Sequence, residues 1–291
     1  MPDHRNDRGR RTFVLGTGCM KGGTTWLHDY LASSPRCATG YRKEYHVFDS
    51  VDLPDLAWMR HRILGRARQS LDDLDAGRPA DATFLHQASL IADPSTYAGY
   101  FTGLLDTRPG TTMTLDMTPN YGLLSGDRLR GVRESFAGLG VRCVSVFLMR
   151  DPVERIWSQV RMQQRRRPEQ NPGSAEDLVL ERYAQPEYDV RTRYERTLAA
   201  LDAAFPTSEV HVGFYETLFE PGSLAAVSAL AGIEPPPADT ETRRNASPKS
   251  AGLPESTVRE VAGHFRATYD AVAARFPEVD LAALWPSTRF V

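Results

Sequence analysis

The sequence predicts an α/β protein of three layers, in which a parallel sheet carries helices on both faces. Several short runs of apolar and β-branched residues have the composition of buried strands, and segments with helical spacing separate them. The longest run, at 141–149, is almost continuously apolar, which is typical of a central parallel strand. The first run ends in a glycine-rich turn that opens a helix. Strands that alternate with helices in this way favour a parallel sheet.

The first half of the chain is predicted to begin with a strand at 11–17. A helix follows it, and its buried face would carry Trp26, Leu27, Tyr30 and Leu31. Residues 51–110 are mostly helical in pattern, so they are predicted to form a helical insertion beside the sheet. A second strand is predicted at 111–116.

A helix is predicted to follow the strand at 141–149. Asp151 is expected to be its N-cap, Pro152 suits the first helical position and Glu154 completes a capping box. Its inward side chains would be Val153, Ile156, Trp157 and Val160. The remaining predicted elements are a polar loop at 165–173, a helix at about 191–205, a strand at 209–214 and a last amphipathic helix carrying Val258, Val261, Ala262, Phe265 and Val272.

Composition favours a soluble protein in a single domain over residues 1–291, with the basic and polar residues 1–10 flexible. A net charge of −2 gives no global sign of a nucleic-acid partner, and no run approaches the ~20 apolar residues of a membrane span. The cysteines, Cys19, Cys37 and Cys143, lack the paired spacing of metal sites. We therefore expect reduced thiols in a cytoplasmic protein that binds no metal.

The most informative segment is Lys21-Gly22-Gly23-Thr24-Thr25-Trp26, between the first strand and its helix. Glycines let the backbone approach an anion closely, and the N–H groups at a helix N-terminus point toward it. The two threonines add hydroxyl donors, and Lys21 adds a full charge. Lys21 is one of only three lysines beside 32 arginines, with Lys43 and Lys249. A glycine-rich turn without a ligand is the alternative, and this convergence of donors disfavours it.

This loop is not a Walker A motif, because there the lysine follows the last glycine, whereas Lys21 precedes both glycines. A second anion-binding pair is predicted where the strand at 141–149 ends. Arg150 leaves the same edge of the sheet beside the first loop, and Ser158 lies two turns into the next helix. Together they could bind a second phosphate group.

The order of residues 21–27 after a strand resembles the 5′-phosphosulfate loop of the sulfotransferases that use 3′-phosphoadenosine-5′-phosphosulfate (PAPS). Residues 150–158 resemble that family's 3′-phosphate motif, an arginine at a strand end and a serine eight residues on. The resemblance spans roughly residues 12–276 and is closest to the heparan-sulfate-type and bacterial members. It implies a P-loop-NTPase-like sulfotransferase fold, with PAPS as co-substrate and 3′-phosphoadenosine-5′-phosphate (PAP) as product.

Weaker similarities follow in the same order. Residues 192–195 resemble the family segment whose tyrosine contacts adenine, which implies that role for Tyr194. Residues 213–216 resemble a tyrosine–glutamate landmark after a strand. The basic segment at 243–249 lies where the family has a late loop over the nucleotide, which implies contacts from Arg244 and Lys249.

Residues 43–49, Lys-Glu-Tyr-His-Val-Phe-Asp, resemble the catalytic segment of the heparan-sulfate-type enzymes, with Val47 in place of a phenylalanine. The resemblance implies Glu44 as general base and Lys21 at the bridging oxygen of the donor. His46 is the second candidate base, and an extended segment would place Glu44 and His46 on one side. Partial burial is expected to raise the pKa of Glu44. The candidate acceptor-side residues are Lys43, Asp49 and Thr118.

Two other functions stay open at this point. A P-loop kinase is disfavoured by the position of Lys21 and by the lack of a carboxylate placed for Mg²⁺, since helix capping accounts for Asp151. A non-catalytic module that binds adenine nucleotides would not need Glu44 and His46. The acceptor is expected to be a small molecule or a carbohydrate that contacts the insertion at 51–110 and the region 165–190.

Overall fold

The computed structural model describes residues 11–238 and 252–291. Five strands form one sheet in the order β2-β3-β1-β4-β5, and all neighbouring strands are parallel. The strands are β1 (Thr12–Gly18), β2 (Cys37–Ala38), β3 (Met113–Asp116), β4 (Arg142–Met149) and β5 (Val210–Phe214).

Fourteen α-helices surround this sheet in the described part of the chain. They are α1 (Thr24–Ala32), α2 (Phe48–Asp52), α3 (Ala57–Asp75), α4 (Ala82–Ala92), α5 (Tyr97–Leu104), α6 (Gly126–Gly138), α7 (Pro152–Arg166), α8 (Ala175–Arg182), α9 (Pro186–Asp189), α10 (Tyr194–Ala204), α11 (Pro221–Ala231), α12 (Glu255–His264), α13 (Arg266–Arg275) and α14 (Leu281–Leu284). None of them is long and apolar enough to cross a membrane.

The sheet is covered on both faces because successive side chains of a strand point in opposite directions. From β4, Cys143 and Phe147 join one buried cluster, while Val144 and Val146 join the other. Helices α5, α6, α7, α10, α12 and α13 supply the first cluster, and α1 and α11 supply the second. The predicted three-layer parallel architecture is therefore confirmed.

Several elements differ from the sequence-based expectation: helices α6, α8 and α9 were not predicted, and β2 and the last helix also differ. Strand β2 was not predicted, because only Cys37 and Ala38 pair with β3, which is too short a segment to show a pattern. The single last helix is in fact two, α12 and α13, with a break at Phe265, whose backbone leaves the helical region at φ −99° and ψ 18°. Phe265 is fully buried, so the apolar stripe continues across the break.

The insertion is helical, as predicted. Helices α2 to α5 connect β2 to β3, and α3 and α4 share a small cluster of their own around Met59, Ile63 and Ile91. The predictions for residues 1–10, Arg244 and Lys249 lie outside the described residues.

The connections that leave the carboxyl ends of β1, β3, β4 and β5 all lie at one edge of the sheet. In an open parallel sheet this edge is where ligands bind. The candidate site residues follow these strand ends: Lys21 follows β1, Thr118 follows β3 and Arg150 follows β4.

Candidate active site

A cavity of about 1250 Å³ opens at this edge of the sheet. Its wall is built from residues 21–26 (the candidate phosphate loop), residues 43–49 (the candidate catalytic segment), the insertion and the helices α7 to α10. Of the predicted site residues, Lys21, Gly23, Thr24, Thr25, Trp26, Lys43, Glu44 and His46 line it. The structure thus brings the two predicted motifs of the first 50 residues together.

The two glycines of the phosphate loop are required by packing. A Cβ at Gly22 would lie 2.7 Å from the carbonyl oxygen of Leu148, so the turn can lie against β4 only without a side chain there. Gly23 has φ +88°, in the left-handed region, and is the N-cap of α1. No side chain caps this helix, and Leu27 is the residue whose N–H bonds back to Gly23. The N–H groups of the first turn are therefore free of intrahelical partners and face the loop.

Lys21 lies among positive charges. In the described part of the chain it forms no ion pair, and its amino group lies 3.6 Å from the sulfur of Met162. Burial and the charges of Arg150, Arg165 and Arg166 together lower the pKa of Lys21 to about 8. A site that concentrates cations in this way is suited to a polyanion.

Arg150 is oriented by three contacts. Its guanidinium donates to the carbonyl oxygen of Lys21 at 3.2 Å and pairs with Glu154 at 3.2 Å, and its Cζ lies 4.4 Å from the ring centroid of Tyr215. Glu154 therefore pairs with Arg150, whereas the N–H of Asp151 donates to Glu216. This differs from the predicted capping box, although Asp151 does cap α7 by accepting from Val153.

A second arginine, Arg161, lies near Arg150 and one turn beyond Ser158 on α7. Ser158 is buried, with 6% of its surface exposed. Nε of Arg150 and both Nε and Nη1 of Arg161 are buried without a hydrogen-bond partner among the residues that the structure describes. The charge of Arg150 lowers the pKa of Arg161 further, beyond the effect of burial. Buried N–H groups without partners on two neighbouring arginines are suited to bind a phosphate group.

Tyr194 lies behind Arg150 and is 1% exposed. Its hydroxyl donates to the carbonyl oxygen of Arg150 at 2.7 Å, and its ring packs against Phe147. This placement favours support of the strand end over contact with adenine. Tyr215, which lines the cavity and stacks on Arg150, is the tyrosine that faces the open space.

The catalytic segment forms a turn and is not extended, because His46 has φ +52° in the left-handed region. The expected proximity of Glu44 and His46 is nevertheless observed. Nε2 of His46 lies 3.2 Å from Oε2 of Glu44, and Nδ1 lies 2.7 Å from Oδ2 of Asp49. The amino group of Lys43 lies 2.7 Å from the other oxygen of Glu44 and 3.3 Å from Oγ1 of Thr24.

The ionisation of Glu44 is opposite to the expectation. Burial raises its pKa, but hydrogen bonds from His46 and Lys43 and their charges outweigh this effect and lower the pKa to about 2. For His46, burial lowers the pKa, whereas the bonds to Asp49 and Glu44 raise it to about 9. At neutral pH the site therefore holds a carboxylate bonded to an imidazolium.

Two of the predicted acceptor-side residues lie behind the surface of the site. Asp49 and Thr118 are both fully buried. The hydroxyl of Thr118 accepts from the N–H of Tyr45 at 2.9 Å and donates to Asp116 at 2.6 Å, so it holds the backbone of the catalytic turn. Burial raises the pKa of Asp116 to about 6.

Several site residues were missed by sequence reasoning. They are Asn120, Arg161, Arg165, Arg166 and Tyr215. The Tyr-Glu landmark contained Tyr215, and the arginine run at 165–167 was interpreted only as a loop. In a chain with 32 arginines, the spacing alone does not distinguish the cations of a site from those of the surface.

No group of three or more metal-ligating side chains occurs within residues 11–238 and 252–291. The three cysteines are buried, and none of them forms a disulfide.

No protein-family model and no curated protein matches this chain. Among solved structures, it is similar to a sulfotransferase from Alicyclobacillus acidocaldarius, with a TM-score of 0.58 and 17% identity over 94% of this chain and 98% of that one. The sulfotransferase domain of the Synechococcus PCC 7002 olefin synthase gives a TM-score of 0.42 and 15% identity over 88% and 94%. Sulfotransferase STF9 from Mycobacterium avium gives 0.40 and 14% over 96% and 80%.

The first of these similarities extends over nearly the whole length of both chains. The protein therefore has the P-loop-like fold of a sulfotransferase, as the motifs predicted. At 17% identity the likeness defines the fold, so the chemistry depends on the residues of the site.

Proposed function

We propose that this protein is a sulfotransferase that takes the sulfuryl group from PAPS and transfers it to a hydroxyl group of an acceptor. The observation that carries the proposal is the concentration of cations around Lys21, Arg150 and Arg161, together with the buried N–H groups of both arginines that have no hydrogen-bond partner among the described residues. PAPS is anionic at both ends of its adenosine, and the site offers cations at two separate places. A neutral ligand would leave these N–H groups without a charged acceptor.

In this proposal residues 21–26 bind the 5′-phosphosulfate with loop N–H groups, hydroxyl groups and the charge of Lys21. Arg150 and Ser158 bind the 3′-phosphate, and the unpaired N–H groups of Arg161 support its addition to this set. Tyr194 holds the backbone of Arg150. Contacts from Arg244 and Lys249 over the nucleotide stay predictions.

The reaction is an in-line displacement at sulfur. A bond forms between the acceptor oxygen and sulfur, and the bond from sulfur to the bridging oxygen of PAPS breaks. The electron pair stays on the 5′-phosphate of PAP, where Lys21 and the N-terminus of α1 stabilise the developing charge. The acceptor proton passes to Glu44, which is the proposed general base.

The low pKa of Glu44 determines when the proton moves. A carboxylate with a pKa of about 2 takes almost no proton from a free alcohol. The hydroxyl becomes strongly acidic once its oxygen bonds to sulfur, so the transfer accompanies or follows bond formation. His46, with a pKa of about 9, already carries its proton at neutral pH. This charge state supports Glu44 over His46 as the base.

The acceptor is proposed to be a small molecule or carbohydrate that enters between the insertion and helices α7 to α9. A cavity of about 1250 Å³ is larger than the ~300–1000 Å³ of a site for one drug-sized ligand, so donor and acceptor can share it. Its outer wall combines apolar side chains with arginine: Leu53, Leu56, Trp58, Met59, Arg62 and Leu123.

The decisive experiment needs no acceptor. Calorimetric titration with PAP, with ADP and with ATP and Mg²⁺ compares ligands that differ in the 3′-phosphate and in the length of the phosphate chain. We expect PAP to bind most tightly and Arg150→Ala to remove most of its advantage over ADP. Preference for ATP with Mg²⁺ would refute the proposal and favour a kinase. Binding of PAP without turnover of PAPS on a broad panel of hydroxyl acceptors would favour the non-catalytic module.

A further inference from the structure

A continuous chain of hydrogen bonds connects the candidate base to Arg191, a largely buried arginine that also lines the cavity. From Glu44 it passes through His46 to Asp49, as described above. Nδ2 of Asn120 then donates to Oδ2 of Asp49 at 3.0 Å, and Nε of Arg191 donates to Oδ1 of Asn120 at 3.2 Å.

The amide of Asn120 has a defined orientation in this chain. An arginine can only donate hydrogen bonds, so the amide oxygen must face Arg191. The amide NH₂ group must then face Asp49, which as a carboxylate can only accept. Arg191 is itself anchored, since its guanidinium also donates to the carbonyl oxygen of Glu187.

The burial of this chain of hydrogen bonds makes the amide donor of Asn120 important. Asp49 is fully buried, Asn120 is 5% exposed and Arg191 is 8% exposed. Oδ1 of Asp49 has no donor among the residues that the structure describes, so Oδ2 carries the bonds from both His46 and Asn120. A buried carboxylate with so few donors is sensitive to the loss of one.

We propose that Asn120, held by Arg191, is a positioning residue for the base. It fixes Asp49, Asp49 fixes the imidazolium of His46, and His46 orients Oε2 of Glu44. The oxygen Oε1 then stays on the side of Lys43 and the phosphate loop, where the donor binds. This role rests on the proposed function, because it concerns the base of that reaction. Neither Asn120 nor Arg191 was a candidate in the sequence.

The charged and titratable groups around His46 and Asp49 come from four segments. Lys43 and Glu44 lie on the catalytic turn, Asp116 ends β3, Tyr121 follows Asn120, and Arg191 precedes α10. None of these groups is removed when Asn120 is replaced. A change at His46 in that variant therefore reports the lost amide.

The test is the proton resonance of Nδ1–H of His46 in the full chain without ligand. A buried N–H bonded to a carboxylate exchanges slowly and resonates at low field, and its absence in His46→Gln assigns it. We expect this resonance in the wild type and its loss or upfield shift in Asn120→Ala and Arg191→Leu. Arg191→Gln, which retains a donor for Asn120, is expected to restore it in part.

Thr197→Val is the matched control, because the Thr197 hydroxyl is also buried and donates at 2.8 Å to Gly122, two residues after Asn120. The resonance should persist there. Circular dichroism melting identifies variants that fail to fold, and Asn120→Leu replaces Asn120→Ala if that variant does. An unchanged resonance in folded Asn120 and Arg191 variants would overturn the proposal.

Turnover gives a second measurement with any hydroxyl acceptor that the wild type sulfates. Loss of one hydrogen bond to a charged group should lower kcat about 10- to 100-fold in Asn120→Ala. The KM for PAPS should stay unchanged. An effect on the KM of the acceptor alone would make Asn120 an acceptor contact and overturn the positioning role. If the wild type neither binds PAP nor uses PAPS, the proposed function fails, and the His46 resonance still decides the role of Asn120.

Discussion

Glu44 receives a hydrogen bond on each oxygen of its carboxylate, from Lys43 on one side and His46 on the other. Both donors are cations, so the carboxylate stays ionised and oriented even in an acidic medium. Lys43 also contacts Thr24 of the phosphate loop. The candidate base and the proposed donor site are thus connected through the amino group of Lys43.

Replacement of Glu44 by glutamine keeps the shape of the side chain and removes the base. We expect turnover to fall about 10²- to 10⁴-fold and the affinity for PAP to stay within a few-fold, because general-base assistance acts on the chemical step. Initial rates with PAPS and calorimetry with PAP measure the two quantities. Glu181→Gln, another carboxylate of the cavity wall, is the control. Equal rates in Glu44→Gln and the wild type would remove Glu44 from the mechanism.

Lys21 predicts a pH dependence of nucleotide binding. Its pKa of about 8 in the free protein means that about half of the amino groups are neutral at pH 8. A bound phosphate raises this pKa, so binding at pH 8 takes up as much as about half a proton per site, and affinity falls as the pH rises above 8. Calorimetry in two buffers of different ionisation enthalpy measures the uptake. Lys21→Arg, which stays charged, should take up none; the same uptake in that variant would assign the proton to another group.

The phosphate loop, Arg150 and the pair of Glu44 and His46 were candidates from the sequence because each belongs to a compact motif. The contacts of Asn120 with Asp49 and of Tyr215 with Arg150 could not be predicted, because they join residues more than 60 positions apart. The pKa of Glu44 was predicted in the wrong direction for a related reason. Burial was foreseeable from the sequence, whereas the two cationic donors depend on the fold of the turn.

Helix α7 depends on one buried carboxylate at its start. Asp151 accepts from Val153 as the N-cap, and it also accepts from the hydroxyl groups of Ser287 and Tyr269. The carboxyl therefore joins α7, α13 and the segment after α14. Arg150, the candidate residue for binding the 3′-phosphate, directly precedes Asp151. The network of Asp151 therefore also fixes the end of β4 next to Arg150.

Asp151→Ala should lower the free energy of unfolding by about 4 kcal/mol, since a cap costs ~1 kcal/mol and each buried donor left unpaired costs ~1–3 kcal/mol. Urea denaturation followed by circular dichroism measures the loss. Asp81→Ala is the matched control, because Asp81 caps the exposed start of α4 through Thr83 alone and should cost about 1 kcal/mol. Equal losses in the two variants would show that the buried network adds nothing.

At the level of elements, β1, β4, α1 and α7 were predicted well, whereas α6, α8 and β2 were not predicted. The apolar run at 141–149 predicted β4, and the apolar stripe that begins at Val153 predicted α7. Each of these segments buries a continuous apolar surface. Strand β2 owes its existence to pairing with β3. The break at Phe265 leaves the apolar spacing intact, so the periodicity of the sequence does not reveal it.

The whole molecule carries a net charge of −2, yet its cavity concentrates cations at the phosphate loop. Repulsion among Lys21, Arg150, Arg165 and Arg166 opposes folding when no anion is bound. A ligand that binds the folded state alone adds RT ln(1 + [L]/Kd) to its stability. In the proposed function, the free energy of unfolding therefore depends on the nucleotide.

PAP at a hundred times its Kd should raise the free energy of unfolding by about 2.7 kcal/mol. Thermal melting at constant ionic strength measures the change, with ADP and sodium chloride as comparisons. The gain should shrink in Arg150→Ala at the same PAP concentration. A melting temperature that does not respond to PAP would contradict the donor site.

The same crowding of arginines around Lys21 has a consequence for the lifetime of the protein in a cell. Proteases act mainly on opened chains, and a change of one or two kcal/mol in stability alters abundance several-fold. In the proposed function, molecules without nucleotide would open more often than loaded ones and would be degraded first. The amount of enzyme would then follow the supply of its own co-substrate, without any regulator of its synthesis.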